Sequence, residues 1–223
     1  VDRQKNTGIN KRHYSIIDKL LSEGLKSDNN VLEIGCGIGT LTSLLINKLP
    51  KGSLVSIDIA PKNIDEAKKS LGHHKNLNLV CADAVKYNFI DYLFDVVVLP
   101  DVIEHIPIDQ HSLFFEKISN VLNKNGFIFI HIPNPNYLDW CRINRPELLQ
   151  IIDQPIHTNL LIENTLPHGL IIAKLITYSI WIADGDYQYI ILRKKGFENF
   201  HQNIEEKASL IDKIKYKLSK VGK

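Results

Sequence analysis

The sequence predicts an α/β fold: a doubly wound, seven-stranded, mostly parallel sheet with an antiparallel hairpin of strands 6 and 7 and helices on both faces. Short apolar segments alternate five times with segments of helical periodicity, which is the pattern of parallel strands joined by crossover helices. Two further apolar segments flank Ala183-Asp184-Gly185, a turn sequence typical of a β-hairpin. We expect this hairpin to add an antiparallel edge to the sheet.

The individual elements follow from hydrophobic periodicity and its interruptions. Apolar residues at helical spacing predict helices at residues 11–26, 41–49, 63–71, 110–122 and 158–166. Short apolar runs predict strands at residues 31–34, 53–57, 77–81, 94–99, 127–132, 171–181 and 186–192. The run at residues 94–99 is apolar on both faces, as expected of a central parallel strand.

Residues 133–160 are less regular and contain four prolines. A long irregular connection in a compact domain usually serves a function. We therefore interpret this segment as an insert that recognises the substrate. Its chemically distinctive residues are Trp140, Arg142, Arg145 and His157.

The chain divides into three predicted parts. Residues 1–26 form an N-terminal lid and helix, residues 27–195 form the central domain with its insert, and residues 196–223 form a basic amphipathic helix. Apolar residues in this last part recur at helical spacing between lysines, which suits packing on the same domain or on a second copy as a homodimer. Peripheral contact with an anionic membrane surface is the alternative.

Composition narrows the function and the compartment. A net charge of +2 gives no electrostatic reason to expect a nucleic-acid partner. The three cysteines are far apart and form no C-x-x-C pair, which favours a reducing cytoplasmic compartment without disulfides or a metal site. The sequence contains no run of 18 apolar residues, so it predicts no transmembrane helix, and it shows no signal-peptide pattern. The chain begins with Val1 and contains no Met, so we expect a trimmed or incomplete product.

A glycine-rich turn follows the first predicted strand. The sequence E-x-G-x-G-x-G comprises Glu33, Gly35, Cys36, Gly37 and Gly39. Glycines let the backbone take positive φ and let a ligand approach closely, and the following helix presents free N–H groups to that ligand. The third glycine comes one residue too early for the dinucleotide pattern, and the Walker sequence G-K-[ST] is absent.

This turn resembles motif I of the class I S-adenosylmethionine (SAM) methyltransferases, and the resemblance extends over about residues 11–195. It implies SAM as the cofactor and S-adenosylhomocysteine as the product, with the turn around the amino-acid end of the cofactor. The Glu33 carboxylate would suit a ligand with an ammonium group. In this family the helix before the sheet often closes over the cofactor, which makes Arg12, His13 and Tyr14 candidate contacts, although a solvated helix start is the alternative.

Two further acids suit the nucleoside part of such a cofactor. Asp58 lies at the tip of the second strand, where a carboxylate can accept hydrogen bonds from both ribose hydroxyls, with Ile59 near the adenine. A helix cap ahead of the following proline is the alternative for Asp58. The resemblance implies that Asp83 accepts a hydrogen bond from the adenine amino group and that the Ala84 N–H meets the ring, unless Asp83 only forms a turn.

The segment after the fourth strand, residues 100–107, resembles that of small-molecule methyltransferases, which commonly ends in Glu-His. Pro100 belongs to the expected cofactor site. Methyltransferases that act on the amino groups of nucleic acid bases or glutamine carry [DN]-P-P-[YF] here, and C5-cytosine methyltransferases carry a Pro-Cys pair. Both sequences are absent. His105 is the first candidate for a general base, and His131 is the second candidate histidine. Asp101 or Glu104 can orient His105, or Asp101 can itself be the base. A packing or helix-start role is the alternative for each histidine.

These features together predict a SAM-dependent O-methyltransferase. We expect the acceptor to be a small molecule or a sugar-containing precursor of a surface glycan. An NAD(P)-dependent oxidoreductase is an alternative, which the early third glycine and the antiparallel hairpin disfavour. A non-catalytic SAM-binding or scaffold protein is another, since cofactor-binding residues do not prove turnover.

Overall fold

The computed structural model describes residues 8–89, 93–149 and 152–196. The predicted C-terminal helix lies outside these residues. Within them, seven strands form a sheet in the order β3-β2-β1-β4-β5-β7-β6. The strands are β1 Asn30–Ile34, β2 Ser53–Asp58, β3 Leu77–Cys81, β4 Phe94–Pro100, β5 Leu122–Pro133, β6 Leu170–Tyr178 and β7 Tyr187–Lys194.

Helices connect the strands. They are α1 Lys11–Ser22, α2 Thr40–Ile46, α3 Pro61–Leu71, α4 His111–Val121, α5 Pro135–Asn144 and α6 Thr158–Thr165. Short 3-10 turns lie at Ile103–His105, Ile108–Gln110, Pro146–Leu148 and Leu166–His168. Among the helices of the described ranges, none is long and apolar enough to cross a membrane.

The sheet has the predicted mixed direction. Strands β1 to β5 are parallel, whereas β7 pairs antiparallel with both β5 and β6. The prediction of a doubly wound, seven-stranded sheet with an antiparallel hairpin is therefore confirmed. The carboxyl ends of β1 to β5 meet at one edge of the sheet, which we call the carboxyl edge. The connection from β6 to β7 lies at the same edge because β6 runs parallel to β5.

Both faces of the central strand β4 are buried, as its sequence predicts. Val97 and Leu99 pack in one apolar cluster with Phe114 on α4. Val96 and Val98 pack in the cluster on the opposite face, which also contains apolar residues of α1 and α2. Each of these four β4 residues is at most 1% exposed. The sheet thus holds the ends of β1, β4 and β5 in fixed relative positions.

The insert is more regular than its prolines suggest. Pro135 begins helix α5, and the Asn134 side chain accepts a hydrogen bond from the Asn136 N–H at 3.1 Å. Proline suits the first turn of a helix because its nitrogen has no hydrogen to leave unpaired. The expectation of an irregular connection after residue 133 was therefore wrong for residues 135–144, and a helix follows β5 directly.

Candidate active site

The glycine-rich turn joins β1 to α2 in a conformation that requires glycine. Gly35, Gly37 and Gly39 have φ angles of 81°, 55° and 88°. The N–H groups of Gly35 and Cys36 donate to the Ile57 carbonyl at 2.7 and 3.0 Å, which ties the turn to β2. A Cβ atom on Gly35 would lie 2.4 Å from Cγ2 of Val102, just after β4. The turn therefore packs directly against the end of β4.

Burial disfavours the charged forms of two residues of the glycine-rich sequence, Cys36 and Glu33. Burial raises the pKa of the Cys36 thiol far above its usual range, so this residue offers its backbone rather than a thiolate. Glu33 is fully buried, and burial raises its pKa to about 7. Its Oε2 accepts hydrogen bonds of 2.7 Å from Thr42 and Ser56, while Oε1 has no partner. Contact between Glu33 and an ammonium group stays a prediction.

Asp58 already has several protein partners in this structure. Its Oδ2 accepts a hydrogen bond from the Gly37 N–H at 2.8 Å, and its Oδ1 accepts from Ala60 N–H at 2.8 Å and from the Asn63 side chain at 3.1 Å. A carboxylate has about four lone-pair sites. Contact with both ribose hydroxyls would therefore require at least one of these bonds to be exchanged. Asp58 is placed at the tip of β2 as expected, and its ribose role stays a prediction.

The neighbouring residues fit a nucleoside. Ile59 is 69% exposed, so an apolar side chain lies open beside the Asp58 carboxylate. Asp83 follows β3, the next strand in the sheet, where its Oδ1 accepts from the Val85 N–H at 3.0 Å and its Oδ2 pairs with Lys86 at 3.2 Å. Ala84 is partly buried against the core. These contacts give Asp83 the turn role named as its alternative, and adenine binding stays a prediction.

Asp101 and His131 are brought together where β4 and β5 end. Pro100 and His131 are register partners, and the Asp101 N–H donates to the His131 carbonyl at 2.7 Å. His131 Nδ1 lies 2.8 Å from Asp101 Oδ1, and its Nε2 lies 2.7 Å from the Tyr178 hydroxyl. Asp101 has a φ of 55°. Among the described residues it is the only non-glycine residue with a positive φ. Such backbone strain is concentrated at functional sites.

Helix α1 covers this chain of hydrogen bonds. The Arg12 guanidinium pairs with Asp101 Oδ2, and Lys19 Nζ lies 3.6 Å from the centroid of the Tyr178 ring. His131 is fully buried, and its burial together with these two cations holds its pKa well below 6.5. The imidazole is therefore neutral at neutral pH. The Arg12 side chain is only 17% exposed, so the alternative of a solvated helix start is wrong for this residue.

His105 lies apart from this hydrogen-bond chain in its contacts. It ends the 3-10 turn after β4, its Nδ1 contacts the Ile152 carbonyl, and the same nitrogen lies 3.4 Å from Asp153 Oδ1. About a third of its side chain is exposed. The structure therefore joins Asp101 to His131 rather than to His105, and the choice between the two histidines as general base stays open.

The four predicted substrate residues lie in or beside α5. Arg142 donates to the Asp153 carbonyl at 2.9 Å, Arg145 pairs with Glu147, and His157 pairs with Asp139 at 2.9 Å. These three side chains are thus engaged within the insert itself. Trp140 stacks on Tyr137 and is 50% exposed. Substrate contact stays a prediction for all four residues.

Several residues of this site have no signal in the sequence. Tyr178 is the last residue of β6 and lies 47 positions from His131, its hydrogen-bond partner. The Tyr187 ring stacks on His131 at 4.7 Å between ring centroids. Thr42 and Ser56, the partners of Glu33, are ordinary helix and strand residues in the sequence. Within the described ranges no group of three or more His, Cys, Asp or Glu side chains could hold a metal ion.

Comparisons with known proteins agree with the fold and the turn. Residues 31–126 match the family model described as a methyltransferase domain. A SAM-dependent methyltransferase from Clostridium acetobutylicum superposes with a TM-score of 0.67 and 16% identity, over 87% of this chain and 96% of that one. N-methyltransferase NodS from Bradyrhizobium japonicum, in complex with S-adenosylhomocysteine, superposes with a TM-score of 0.65 and 20% identity. The superposition covers 83% of this chain and 87% of NodS.

Curated relatives match over shorter stretches. Malonyl-[acyl-carrier protein] O-methyltransferase 1 of Ilyobacter polytropus is 26% identical over 57% of this chain and 47% of its own length. The malonyl-[acyl-carrier protein] O-methyltransferase of Anoxybacillus flavithermus is 40% identical over 43% of this chain and 36% of its own length. The mitochondrial ubiquinone biosynthesis O-methyltransferase of Dictyostelium discoideum is 30% identical over 50% of this chain and 37% of its own length. The matched stretches thus span less than half of each relative.

Proposed function

We propose that this chain, a class I SAM-dependent methyltransferase by its fold and its methyltransferase domain, transfers a methyl group to an oxygen atom of a small-molecule or glycan-precursor acceptor. The residues present fit the cofactor. Oε1 of the buried Glu33 at the end of β1 has no hydrogen-bond partner among the described residues, and Asp58 at the end of β2 lies beside an exposed apolar Ile59. When bound, SAM supplies a methyl group already activated by its sulfonium.

Oxygen as the methylated atom is supported from two directions. The similar proteins from Ilyobacter, Anoxybacillus and Dictyostelium are all named O-methyltransferases. The sequence after β4 also lacks the [DN]-P-P-[YF] pattern of methyltransferases that act on the amino groups of nucleic acid bases or glutamine, which disfavours that chemistry. Malonyl-[acyl-carrier protein] is therefore a sensible first acceptor to test, although its carboxylate carries no proton to remove at neutral pH. Hydroxylated small molecules and sugars are the acceptors that would need a general base.

The hydrogen-bond chain of Asp101, His131 and Tyr178 is the observation that carries the proposal. A hydroxyl acceptor must lose its proton during methyl transfer, and a positioned base typically accelerates such a step by about 10²–10⁴-fold. Asp101 accepts from His131 Nδ1–H, which leaves Nε2 unprotonated and able to accept from the Tyr178 hydroxyl. This tautomer is assigned from the network.

The hydrogen-bond chain therefore offers the acceptor proton a route to His131. Burial and the charges of Arg12 and Lys19 oppose protonation of His131, so the imidazolium depends on the Asp101 carboxylate. When an acceptor hydroxyl gives up its proton, the Tyr178 oxygen would take that proton up. Tyr178 transfers its own proton to Nε2 of His131, and Asp101 stabilises the imidazolium that forms. Arg12 and the backbone of β4 and β5 hold these groups in place. Correct orientation of the reacting groups itself lowers the barrier by up to roughly 7–11 kcal/mol.

A two-step experiment tests this function. Calorimetric titration with SAM, S-adenosylhomocysteine and NAD establishes the cofactor, with micromolar binding expected for the first two and none for NAD. Mass spectrometry then follows methylation of malonyl-[acyl-carrier protein], catechol and UDP-glucose. A mass increase of one methyl group on an oxygen supports the proposal. Binding of SAM without methylation of any acceptor would favour a non-catalytic SAM-binding protein.

A further inference from the structure

Glu104 is buried beside the hydrogen-bond chain but takes no part in it. It is the middle residue of the 3-10 turn Ile103–His105 and is 1% exposed. Its Oε2 has no hydrogen-bond partner among the residues that the structure describes. Its Oε1 lies 4.0 Å from His105 Nε2, which is too far for a hydrogen bond. The structure therefore gives no support to a role for Glu104 in orienting His105.

The backbone around Glu104 is held firmly. The backbone N–H and the side-chain amide of Gln154 both donate to the Glu104 carbonyl, at 3.0 and 3.2 Å. His111 Nε2 lies 3.0 and 2.9 Å from the carbonyls of Ile103 and Ile106, so it donates to this turn from α4. The unpaired carboxyl oxygen thus belongs to a fixed turn rather than to a loose one.

The carboxyl group of Glu104 lies near residues that contact the proton-accepting chain. It interacts electrostatically with Arg12, which pairs with Asp101, and with Tyr187, which stacks on His131. Asp153 is the remaining charged group that acts on it. A buried oxygen without a partner is costly, and such atoms in a native site commonly await a ligand.

We propose that Glu104 is a specificity-determining residue of the acceptor site, where its carboxyl group hydrogen-bonds a second oxygen of the acceptor beside the one that is methylated. This inference rests on the proposed function. It narrows the acceptor to molecules with two neighbouring oxygen atoms, such as a diol, a catechol or a dicarboxylic acid monoester.

The protonation of Glu104 sets the direction of that hydrogen bond. Burial raises its pKa to about 8, the neighbouring Asp153 adds to this rise, and the Arg12 charge opposes it. At pH 7 the carboxyl group is mainly protonated and donates to the acceptor oxygen. Above pH 8 it ionises and can only accept a hydrogen bond. Affinity is therefore expected to fall between pH 7 and 9 for an acceptor whose second oxygen carries no hydrogen, as in malonyl-[acyl-carrier protein], whereas a second hydroxyl can donate to the carboxylate instead.

The test uses the full chain with SAM and whichever of malonyl-[acyl-carrier protein], catechol or UDP-glucose it methylates. Glu104→Leu is expected to raise the KM for that acceptor about tenfold, the factor of one hydrogen bond, with SAM affinity unchanged. Glu104→Gln, which keeps the shape and a donor, is expected to keep most of the affinity. With an acceptor whose second oxygen carries no hydrogen, this variant should also lose the decline in affinity between pH 7 and 9. Glu116→Gln, at an exposed site on α4, is the matched control.

Different outcomes separate the two proposals. An unchanged KM in Glu104→Leu, or the same decline with pH in Glu104→Gln as in the parent, would overturn the role of Glu104 and leave the proposed function intact. Infrared difference spectra give a second readout: acceptor binding should shift a protonated carboxyl band that Glu104→Gln lacks. Binding of SAM without turnover of any acceptor would overturn the proposed function and this inference with it.

Discussion

Asp101 and His131 are joined twice, once through their backbones and once through their side chains. The Asp101 N–H donates to the His131 carbonyl at 2.7 Å, and His131 Nδ1 lies 2.8 Å from Asp101 Oδ1. The backbone bond belongs to the pairing of β4 with β5, so the sheet itself sets the distance between the two side chains. The sheet thereby orients the imidazole through the Asp101 side chain.

Replacing His131 should separate chemistry from cofactor binding. We expect His131→Gln to lower kcat about 100-fold or more, because the proton-accepting nitrogen is lost, while the Kd for SAM changes less than threefold. Tyr178→Phe should cause a similar loss, since it breaks the path to Nε2. Rates from mass spectrometry and affinities from calorimetry check both expectations.

The same assay decides between the two candidate histidines. His105→Gln should leave kcat within about threefold of the parent, and His73→Gln, at an exposed position between α3 and β3, serves as the matched control. A large loss of kcat in His105→Gln with little change in His131→Gln would make His105 the general base instead.

Removal of the Asp58 carboxylate should abolish tight cofactor binding. We expect Asp58→Ala to weaken SAM about 100-fold or more, because two hydrogen bonds to a charged acceptor contribute roughly 3 kcal/mol or more. The free energy of unfolding should fall modestly, since Asp58 also accepts from the Gly37 N–H. Calorimetry and urea unfolding measure the two effects. Asp65→Ala, at an exposed site on α3, is the control, and unchanged SAM affinity in Asp58→Ala would exclude the ribose role.

A methyl group at Gly35 should damage both stability and binding. Gly35→Ala combines a positive φ with a Cβ only 2.4 Å from Val102 Cγ2, and we expect it to lower the free energy of unfolding by about 2–4 kcal/mol. Gly169→Ala has a φ of 71° but open space around its Cβ, so it should cost only about 1 kcal/mol. Adding Val102→Ala should recover part of the Gly35→Ala loss. Equal losses in the two glycine variants would show that the steric contact is unimportant.

The stability of the protein should respond to acid through His13. Burial, together with the charge of Arg12, lowers the His13 pKa from 6.5 to about 4, so the unfolded chain binds a proton that the folded chain refuses between these values. The contribution of His13 to stability is therefore present above pH 6.5 and is lost as the pH falls toward 4. The loss between pH 7 and pH 5 is about 2 kcal/mol.

The variant His13→Gln isolates this effect. The residue is at the third helical position of α1, where glutamine can keep the reciprocal cap with Asn10. Glu33 and Glu104, whose raised pKa values favour the folded state as the pH falls, are present in both proteins and cancel in the difference. Urea unfolding at pH 7 and pH 5 should show the parent losing about 2 kcal/mol relative to His13→Gln. Parallel losses would contradict the role of His13.

The fold and the cofactor turn could be predicted because their signals are local. Alternating apolar segments gave the sheet its strands, and only glycines suit the φ angles of Gly35, Gly37 and Gly39. Helix α5 was missed because Pro135 was read as an interruption, although proline is also a common first residue of a helix. Proline thus favours a helix when it lies in the first turn and disrupts one when it lies further inside.

The candidate catalytic groups could be predicted only in part. Asp101 and His131 stand near strand ends in the sequence, which is why both were candidates. Their pairing, and the link to Tyr178, joins residues 30 and 47 positions apart through the order of the strands. Glu33 shows a further limit, since a carboxyl group expected to act by its charge is buried with a pKa of about 7.

The direction of β7 has a practical consequence for labelling the protein. Because β7 runs antiparallel to β5, it starts at Tyr187 near the candidate site and carries the chain to Lys194 at the far edge of the sheet. Eight residues of strand span roughly 25 Å. A fluorophore or affinity tag attached just after β7 would therefore begin on the opposite side of the molecule, where it can report on the protein without obstructing access for small molecules.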